Sequence, residues 1–278
     1  MASMLQSAAK AEDPGPEVLY SQADHVATIT LNRPGRMNTI SRLMLSQLCE
    51  RLLEADADRD VWVVILTGTG RAFCAGLDLT EATNANAQGG IAAGAGVATD
   101  LDLRNTPPTV LYNMGKPTIC ALNGSAAGYG MDTALGCDIR LMAKGAKMAA
   151  AFTKRGIVPE SGGTWFLPRL IGWSKAAELI FTGRTLTADQ CVEMGLASAA
   201  VPEAELADAA RALALEIAAN APLAVQASKK MMRMGLEETF SDHVHHVFLQ
   251  LLPLLRTKDA AEGMRAFMEK RPAQFMGR

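Results

Sequence analysis

Two glycine-containing turns carry the residue types and spacing best suited to chemistry. GRAFCAGLDL at residues 70–79 directly follows the apolar run 62–66, and NGSAAGYGMD at residues 123–132 directly follows the apolar run 117–122. Each turn leads into a predicted helix, and the first N–H groups of a helix lack intrahelical acceptors. Two such groups converging on one point would form an oxyanion hole. Glycine-rich turns before helices are also common connections, so the spacing alone leaves both interpretations open.

Alternating strands and helices position these turns. The predicted strands, short and rich in β-branched or apolar residues, are residues 26–31, 62–66, 117–122 and 138–143. Ser41 is a plausible N-cap for a helix over 41–56, and Thr187 with Gln190 forms a capping box. After about residue 174 the chain is nearly all helical, in apolar segments that fit packing against another subunit or against their own core. The pattern predicts an α/β fold with mostly parallel strands.

Composition excludes several classes of function. The 278 residues are 49% hydrophobic and 20% charged, which suits a sizeable core. Lys plus Arg total 27 and Asp plus Glu total 29, and this near-neutral balance argues against a nucleic-acid partner. The mean hydropathy is +0.09, and no run reaches the ~18 apolar residues of a membrane helix, so no membrane partner is expected. Five scattered cysteines predict neither a disulfide framework nor a zinc site, and they fit a reducing cytosol.

Two segments and a histidine cluster need separate interpretation. Residues 1–17 lack the features of a signal peptide and are predicted to be a disordered leader, which favours a cytoplasmic protein. Residues 82–100, rich in Ala, Gly and Asn, fit either a mobile loop near a ligand site or a featureless surface insertion. His243, His245 and His246 resemble a metal cluster in composition. Beyond Asp242 they have no acidic or Cys partner at a clear ligand spacing, so a partly exposed helix is favoured and no metal is expected.

From about residue 20 onward the chain resembles the crotonase family, the enoyl-CoA hydratase/isomerase superfamily. The matching segments, in chain order, are ATITLNRPGRMNTIS, VVILTGTGRAFCAGLDL, KPTICALNGSAAGYGMDTALGCDIRLMA, GIVPESGGTWFLPRLIG, TGRTLTADQCVEMGL and AFMEKRPAQF. The resemblance implies a crotonase-like spiral of ββα repeats over residues 18–200 and a C-terminal helical trimerisation region over residues 201–278. It also implies an acyl-CoA thioester as substrate, and assembly as a homotrimer or as a hexamer of two trimers.

The resemblance implies that the thioester carbonyl lies between two backbone N–H groups. Matching the motifs places these donors at Leu77 and Tyr129. Tyr129 stands where the family more often has Gly or Ala, so its ring must point away from the carbonyl or narrow the pocket. The substrate-binding positions carried over around the two donors are Ala75, Gly76, Asp78, Leu79 and Gly128. Each donor would stabilise an enolate oxygen by about 3–4 kcal/mol.

The CoA portion is expected to meet residues near both ends of the matched region. Arg36, Met37 and Thr39 match the family's adenine-side segment. Phe267 and Lys270 match a terminal helix that lies against the nucleotide of bound CoA in relatives. Lys and Arg pair readily with phosphate. Because CoA would be part of the substrate, no separate cofactor is implied.

The acid–base positions of family hydratases are altered in this chain. Those enzymes carry two glutamates that position one water, and the matching residues here are Asp132 and Phe152. Asp132 is shorter by one methylene, and Phe152 cannot transfer a proton. A hydratase that uses Asp132 with another partner stays an alternative. Asp132 is equally well explained as an acid in the first turn of a helix.

Glu160 is the third acid in the matched region. Enoyl-CoA isomerases that resemble this chain carry one catalytic Asp or Glu at this point, where it moves a proton from C2 to C4 of a 3-enoyl-CoA. Phe152, Ile157 and Trp165 are expected to surround its carboxyl with an apolar pocket. We therefore expect isomerisation with Glu160 as acid/base. The alternatives are a dehalogenase-like nucleophile, a helix N-terminal acid favoured by the dipole, or a homologue that binds CoA thioesters without catalysis.

Overall fold

A computed structural model describes residues 15–78 and 106–278 of the chain. Residues 1–14, most of the predicted leader, lie outside the described residues. The low-complexity segment 82–100 and the predicted substrate contact Leu79 also lie outside them.

A six-stranded sheet carries the main core. In spatial order its strands are β1 (Val18–Ala23), β2 (Val26–Leu31), β3 (Val63–Gly68), β5 (Thr118–Leu122), β7 (Ile139–Ala143) and β10 (Ala199–Val201). Strands β1 and β2 pair antiparallel, and every other neighbouring pair is parallel. All five residues of β5 are buried, as expected for a strand covered on both faces. The predicted α/β class with mostly parallel pairing is confirmed.

A second sheet of four very short strands lies beside the first. In spatial order its strands are β4 (Ala72–Cys74), β6 (Ser125–Ala127), β8 (Lys147–Ala149) and β9 (Thr185–Thr187). Three successive strand pairs, β3–β4, β5–β6 and β7–β8, each contribute one strand to each sheet. The chain therefore winds as the spiral of ββα repeats that the resemblance implied. Both glycine turns follow strands of the large sheet, so they emerge at the same edge.

Helices cover the sheets and continue to the C-terminus. They are α1 (Arg42–Ala57), α2 (Pro107–Asn113), α3 (Tyr129–Gly136), α4 (Gly163–Ile171), α5 (Trp173–Thr182), α6 (Ala188–Met194), α7 (Leu206–Ala218), α8 (Pro222–Met234), α9 (Phe240–Leu254) and α10 (Lys258–Glu269). The predicted N-cap is confirmed, because Ser41 Oγ accepts the N–H of Met44 at 2.9 Å. The predicted capping box of Thr187 and Gln190 is also present.

The C-terminal helices differ in how much they bury. Helix α7 buries Leu206, Ala210 and Ala214 against the large sheet. Helix α9 buries no residue, although it is strongly apolar; Phe240 is 84% exposed and Leu249 is 63% exposed. Packing onto the chain's own core therefore accounts for α7 but not for α9. Among the described residues, no helix combines the length and the hydropathy needed to cross a bilayer.

A charged cluster anchors α8 to the sheet. Asp138 accepts from Lys229 Nζ at 2.8 Å and from Arg233 Nη2 at 2.7 Å, and also from the N–H of Thr118 at 2.8 Å. Burial alone would raise the pKa of Asp138. The charges and hydrogen bonds of Lys229 and Arg233 outweigh it and hold the pKa below its usual value. Arg233 also donates to the carbonyl of Tyr112, which joins this cluster to helix α2.

Candidate active site

Strand pairing holds the two glycine turns against each other. Strands β4 and β6 are parallel neighbours, so both turns leave the same end of the small sheet. The Asn123 side chain accepts the N–H of Gly68 at 3.1 Å and donates to the carbonyl of Gly70 at 2.8 Å. A Cβ at Gly124 would collide with the carbonyl of Arg71, so this close approach requires glycine. The small residues of the turns thus allow the two backbone segments to approach each other closely.

Asn38 fixes the first turn from the other side. It is fully buried, with a left-handed φ of 53° that Asn tolerates better than most residues. Its Oδ1 accepts the N–H of Arg33 at 2.7 Å, and its Nδ2 donates to the carbonyls of Thr69 at 2.9 Å and Ala72 at 2.8 Å. One buried side chain therefore satisfies three backbone groups on two segments.

The predicted CoA-side residues lie on the segment that Asn38 anchors. The carbonyl of Met37 accepts the N–H of Ala75 at 3.1 Å, so the chain around Met37 runs beside the first turn. Arg36 and Met37 are exposed, and Thr39 is half-buried. Asp78 is buried and paired with Arg33 at 3.0 Å. This ion pair indicates that Asp78 helps to hold the first turn in place. The contacts of Arg36, Met37 and Thr39 with CoA stay a prediction.

The two predicted N–H donors border one small cavity. Leu77, Gly76 and Ala75 line it from the first turn, and Gly128 and Tyr129 line it from the second; its volume is about 90 Å³. A Cβ at Gly76 would lie 3.9 Å from Tyr129 N, which shows how closely the turns approach. Among the described residues, neither the Leu77 N–H nor the Tyr129 N–H has a hydrogen-bond acceptor. The structure therefore brings two residues with unpaired backbone N–H groups to one small cavity, and their convergence on a single ligand atom stays a prediction.

Glu160 borders this cavity and a second, larger one. The larger cavity has a volume of about 340 Å³, and Tyr129 and Glu160 line both. The expectation that an apolar pocket encloses the Glu160 carboxyl is wrong for the isolated chain, because the side chain is exposed. Phe152, Ile157 and Trp165 all border the cavities, but Ile157 is itself 52% exposed and gives the carboxyl little cover.

The local helix geometry bears on the alternative role of Glu160. Helix α4 begins at Gly163 with Gly162 as its N-cap. Glu160 therefore precedes the helix and does not occupy its first turn, where a helix dipole acts most strongly on an acid. Ser161 Oγ donates to Glu160 Oε1 at 3.4 Å, a long hydrogen bond. The carboxylate is placed at the cavity rim rather than as a helix cap.

Asp132 lies in the first turn of α3 and is fully buried. Burial raises the pKa of its carboxyl to about 8, and the negative charge of Glu160 adds to the rise. The N–H groups of Gly163 and Ser161 lower this pKa in part, yet neither carboxylate oxygen has a hydrogen bond of normal geometry. Asp132 lines neither cavity. A direct acid–base role on bound substrate therefore lacks access in this conformation.

The predicted terminal-helix contacts lie apart from both cavities. Phe267 is 86% exposed, and Lys270 is the exposed C-cap of α10 with a φ of 57°. Neither residue lines either cavity. Their contact with a nucleotide stays a prediction.

Several lining residues were missed by sequence reasoning. Arg155 borders the small cavity, and its exposed side chain donates to the carbonyl of Ala151 at 2.8 Å. Tyr112 and Phe166 line the large cavity beside Trp165. Arg155 is close in sequence to the matched segment that begins at Gly156, so its position could have marked it as a candidate. Tyr112 lies on a short helix far along the chain from the matched turns, so no local pattern marks it.

The histidine cluster lies on α9, outside both cavities. His243 and His246 each place Nδ1 near a carboxylate oxygen of Glu238, at 3.2 and 3.0 Å, and His245 Nδ1 lies 2.9 Å from the carbonyl of Ser241. Within the parts of the chain that the structure describes, no group of three or more His, Cys, Asp and Glu side chains could hold a metal ion. The five cysteines are free thiols.

Comparison with known proteins identifies relatives along nearly the whole chain. The family described as "Enoyl-CoA hydratase/isomerase" matches residues 21–278. The chain is 38% identical over 268 residues to the putative enoyl-CoA hydratase/isomerase YngF of Bacillus subtilis, covering 95% of this chain and 99% of that one. It is 37% identical over 260 residues to the 1,2-epoxyphenylacetyl-CoA isomerase of Escherichia coli, covering 91% and 95%.

A solved structure agrees with these sequence matches. The crystal structure of an enoyl-CoA hydratase from Bacillus anthracis superposes with a TM-score of 0.88 at 34% identity. It covers 94% of this chain and 100% of that one. The similarity therefore includes both the sheets and the C-terminal helices.

Proposed function

The chain belongs to the enoyl-CoA hydratase/isomerase family, and from that premise we propose that it isomerises a 3-enoyl-CoA thioester to the conjugated 2-enoyl-CoA. Glu160 is the acid/base, and the N–H groups of Leu77 and Tyr129 hold the thioester oxygen. The observation that carries the proposal is the position of Glu160. Among the described residues lining the two cavities it is the one carboxylate, and it borders both.

The proposed reaction gives each of these groups a role, and Glu160 acts in both proton transfers. Removal of a proton from C2 by Glu160 places negative charge on the thioester oxygen, forming a dienolate. The two backbone N–H groups donate to that oxygen and stabilise it, and they need no reorganisation during the reaction. Glu160 then returns the proton at C4, so the double bond moves from C3–C4 to C2–C3. One carboxylate serves both steps if it reaches both carbons.

Hydration is less well supported by the same geometry. Addition of water across a conjugated thioester needs one group to activate the water and another to supply a proton. Phe152 supplies neither, and Asp132 is buried away from both cavities. Glu160 alone could activate a water, but no second carboxylate among the lining residues faces it. Isomerisation needs only one acid/base group, and Glu160 can supply it.

We also propose that the protein assembles as a homotrimer or as a hexamer of two trimers. Support comes from the unburied apolar helix α9, whose exposed side chains include Phe240, Phe248 and Leu249. Apolar faces of this kind mark surfaces that contact other chains. CoA enters and leaves as part of the substrate, so no resident cofactor is proposed. A cytoplasmic location stays a prediction.

The proposal is tested by mixing purified protein with hex-3-enoyl-CoA. We expect the ultraviolet absorbance of the conjugated thioester to rise while the mass of the thioester stays constant. Crotonyl-CoA supplied under the same conditions should keep both its absorbance and its mass. Gain of one water by crotonyl-CoA at a rate matching or exceeding isomerisation would instead identify a hydratase. No change with either thioester would overturn the proposed activity.

Replacing Gly76 by Ala should lower kcat/KM about a hundredfold, the scale of losing one oxyanion donor. Gly76 has a φ of +106°, and its added Cβ would lie 3.2 Å from the carbonyl of Ala127. Relief of that contact moves the Leu77 N–H relative to the Tyr129 N–H. The measurement is steady-state kinetics on hex-3-enoyl-CoA, with thermal unfolding to verify the fold.

Gly172 supplies the matched control for this substitution. Its φ is +76°, and a Cβ there would meet no atom within 4 Å. Gly172→Ala therefore carries similar backbone strain without touching the glycine turns, and it should retain kcat/KM within about threefold. Equal losses in both variants would mean that strain alone, rather than the position of the donors, explains the effect.

A further inference from the structure

The larger cavity beside Glu160 is walled by three aromatic rings. Tyr112, Trp165 and Phe166 line it, and each ring contacts the other two. The ring centroids lie 5.0 Å apart for Tyr112 and Trp165, 5.8 Å for Tyr112 and Phe166, and 5.3 Å for Trp165 and Phe166. Two of the three pairs are edge-to-face, at interplanar angles of 79° and 90°. We call these three residues the ring cage.

Two arginines fix the ring cage in place. The Arg169 guanidinium carbon lies 4.0 Å from the centroid of Trp165, and that of Arg233 lies 4.0 Å from the centroid of Tyr112. Arg233 is itself held by Asp138 at 2.7 Å. Each guanidinium covers one ring face, so the opposite face and the edges are left for the cavity. The walls are therefore preorganised and do not easily move aside for a ligand.

The position of the ring cage matches the acyl part of a bound thioester. Tyr129 and Glu160 line both cavities, so a ligand whose oxygen meets the N–H groups in the small cavity continues past Glu160 into the large one. The volume of about 340 Å³ is roughly twice that of a ~150 Å³ protein cavity that binds benzene. It accommodates one ring and a short linker.

The geometry points to an acyl group that ends in an aromatic ring, linked to the thioester by a few carbons. This inference rests on the proposed function and names its substrate class. An aryl ring entering between Tyr112, Trp165 and Phe166 can meet ring edges and faces at the angles that aromatic pairs favour. A straight alkyl chain gains only contact area from the same walls.

The test measures binding of two thioesters that have no alkene to isomerise and eleven acyl carbons each, 5-phenylpentanoyl-CoA and undecanoyl-CoA, by titration calorimetry. Undecanoyl-CoA has the larger apolar area, so burial alone would favour it. We expect 5-phenylpentanoyl-CoA to bind about tenfold more tightly, the scale of one to two aromatic contacts. Affinity for 5-cyclohexylpentanoyl-CoA should fall between the two.

Variants locate the preference in the ring cage. Trp165→Leu should reduce the tenfold preference to less than about twofold, and Trp165→Phe should retain most of it. Trp173→Leu is the matched control, because Trp173 is 74% exposed and lines a different cavity. Circular dichroism verifies that each variant is folded, and the Phe variant keeps the test valid if the Leu variant is not.

Three outcomes would overturn the inference. They are equal or tighter binding of undecanoyl-CoA, equal binding of the cyclohexyl thioester, and an undiminished preference in folded Trp165→Leu. Each leaves the proposed isomerase activity standing, because hex-3-enoyl-CoA turnover is measured separately. Turnover failing while 5-phenylpentanoyl-CoA still binds preferentially would instead overturn the proposed reaction and support the acyl class. Absence of binding by every thioester would overturn both.

Discussion

Glu160→Gln should lower kcat for hex-3-enoyl-CoA by about 10²- to 10⁴-fold, the usual contribution of a positioned acid/base. The amide has nearly the same shape as the carboxylate, but it cannot accept a proton from C2. Affinity for saturated hexanoyl-CoA should stay within about threefold, because the N–H groups of Leu77 and Tyr129 are untouched. Single-turnover kinetics and calorimetry separate these two effects.

Two further variants bound the interpretation of that result. Glu160→Asp keeps the charge but shortens the reach, so partial activity is expected. Glu203→Gln is the matched control, since Glu203 is an exposed acid that lines neither cavity. Full turnover in folded Glu160→Gln would show that another group moves the proton, and the proposed mechanism would then be wrong.

The fold was largely predictable because four strands of its main sheet are long enough to show a pattern of apolar and β-branched residues. The predicted strand over residues 26–31 is β2, and three other predicted strands match β3, β5 and β7 within two residues at each end. The small sheet was not predicted from pattern. Each of its strands has three residues, such as Ala72–Cys74, and so few residues show no periodicity.

The site was predictable only where function depends on the backbone. Glycine turns mark close backbone approaches, but their spacing alone left two interpretations open; it was the resemblance to the family that placed the proposed donors at Leu77 and Tyr129, and both residues line one cavity. Side-chain surroundings depend on residues that are distant in sequence. Tyr112 on α2 reaches Trp165 on α4 because both helices pack on α3, and Glu160 is exposed although Phe152 and Ile157 line the same cavity. Neither arrangement leaves a local signal.

The buried carboxyl of Asp132 should make the protein less stable as pH rises. Its folded pKa is about 8, and its unfolded pKa is the ordinary 3.8. Between these values the folded chain holds a proton that the unfolded chain releases. The free energy of unfolding therefore falls as pH rises from about 4 to 8, and this contribution is constant outside that window. Across this whole window the free energy of unfolding falls by on the order of 5 kcal/mol.

Asp132→Asn isolates this contribution, because the amide resembles the protonated acid and does not titrate. In urea unfolding at pH 5, 6, 7 and 8, the free energy of unfolding of the variant minus that of the wild type should rise by about 1 kcal/mol per pH unit.

Asp138→Asn is the matched control. The folded pKa of Asp138 lies below its ordinary value, so Asp138 is ionised in both states from pH 5 to 8. Loss of its contacts with Lys229 and Arg233 should therefore destabilise the chain by a similar amount at each pH. A constant difference between wild type and Asp132→Asn would show that Asp132 ionises normally, and it would then regain its standing as a candidate base.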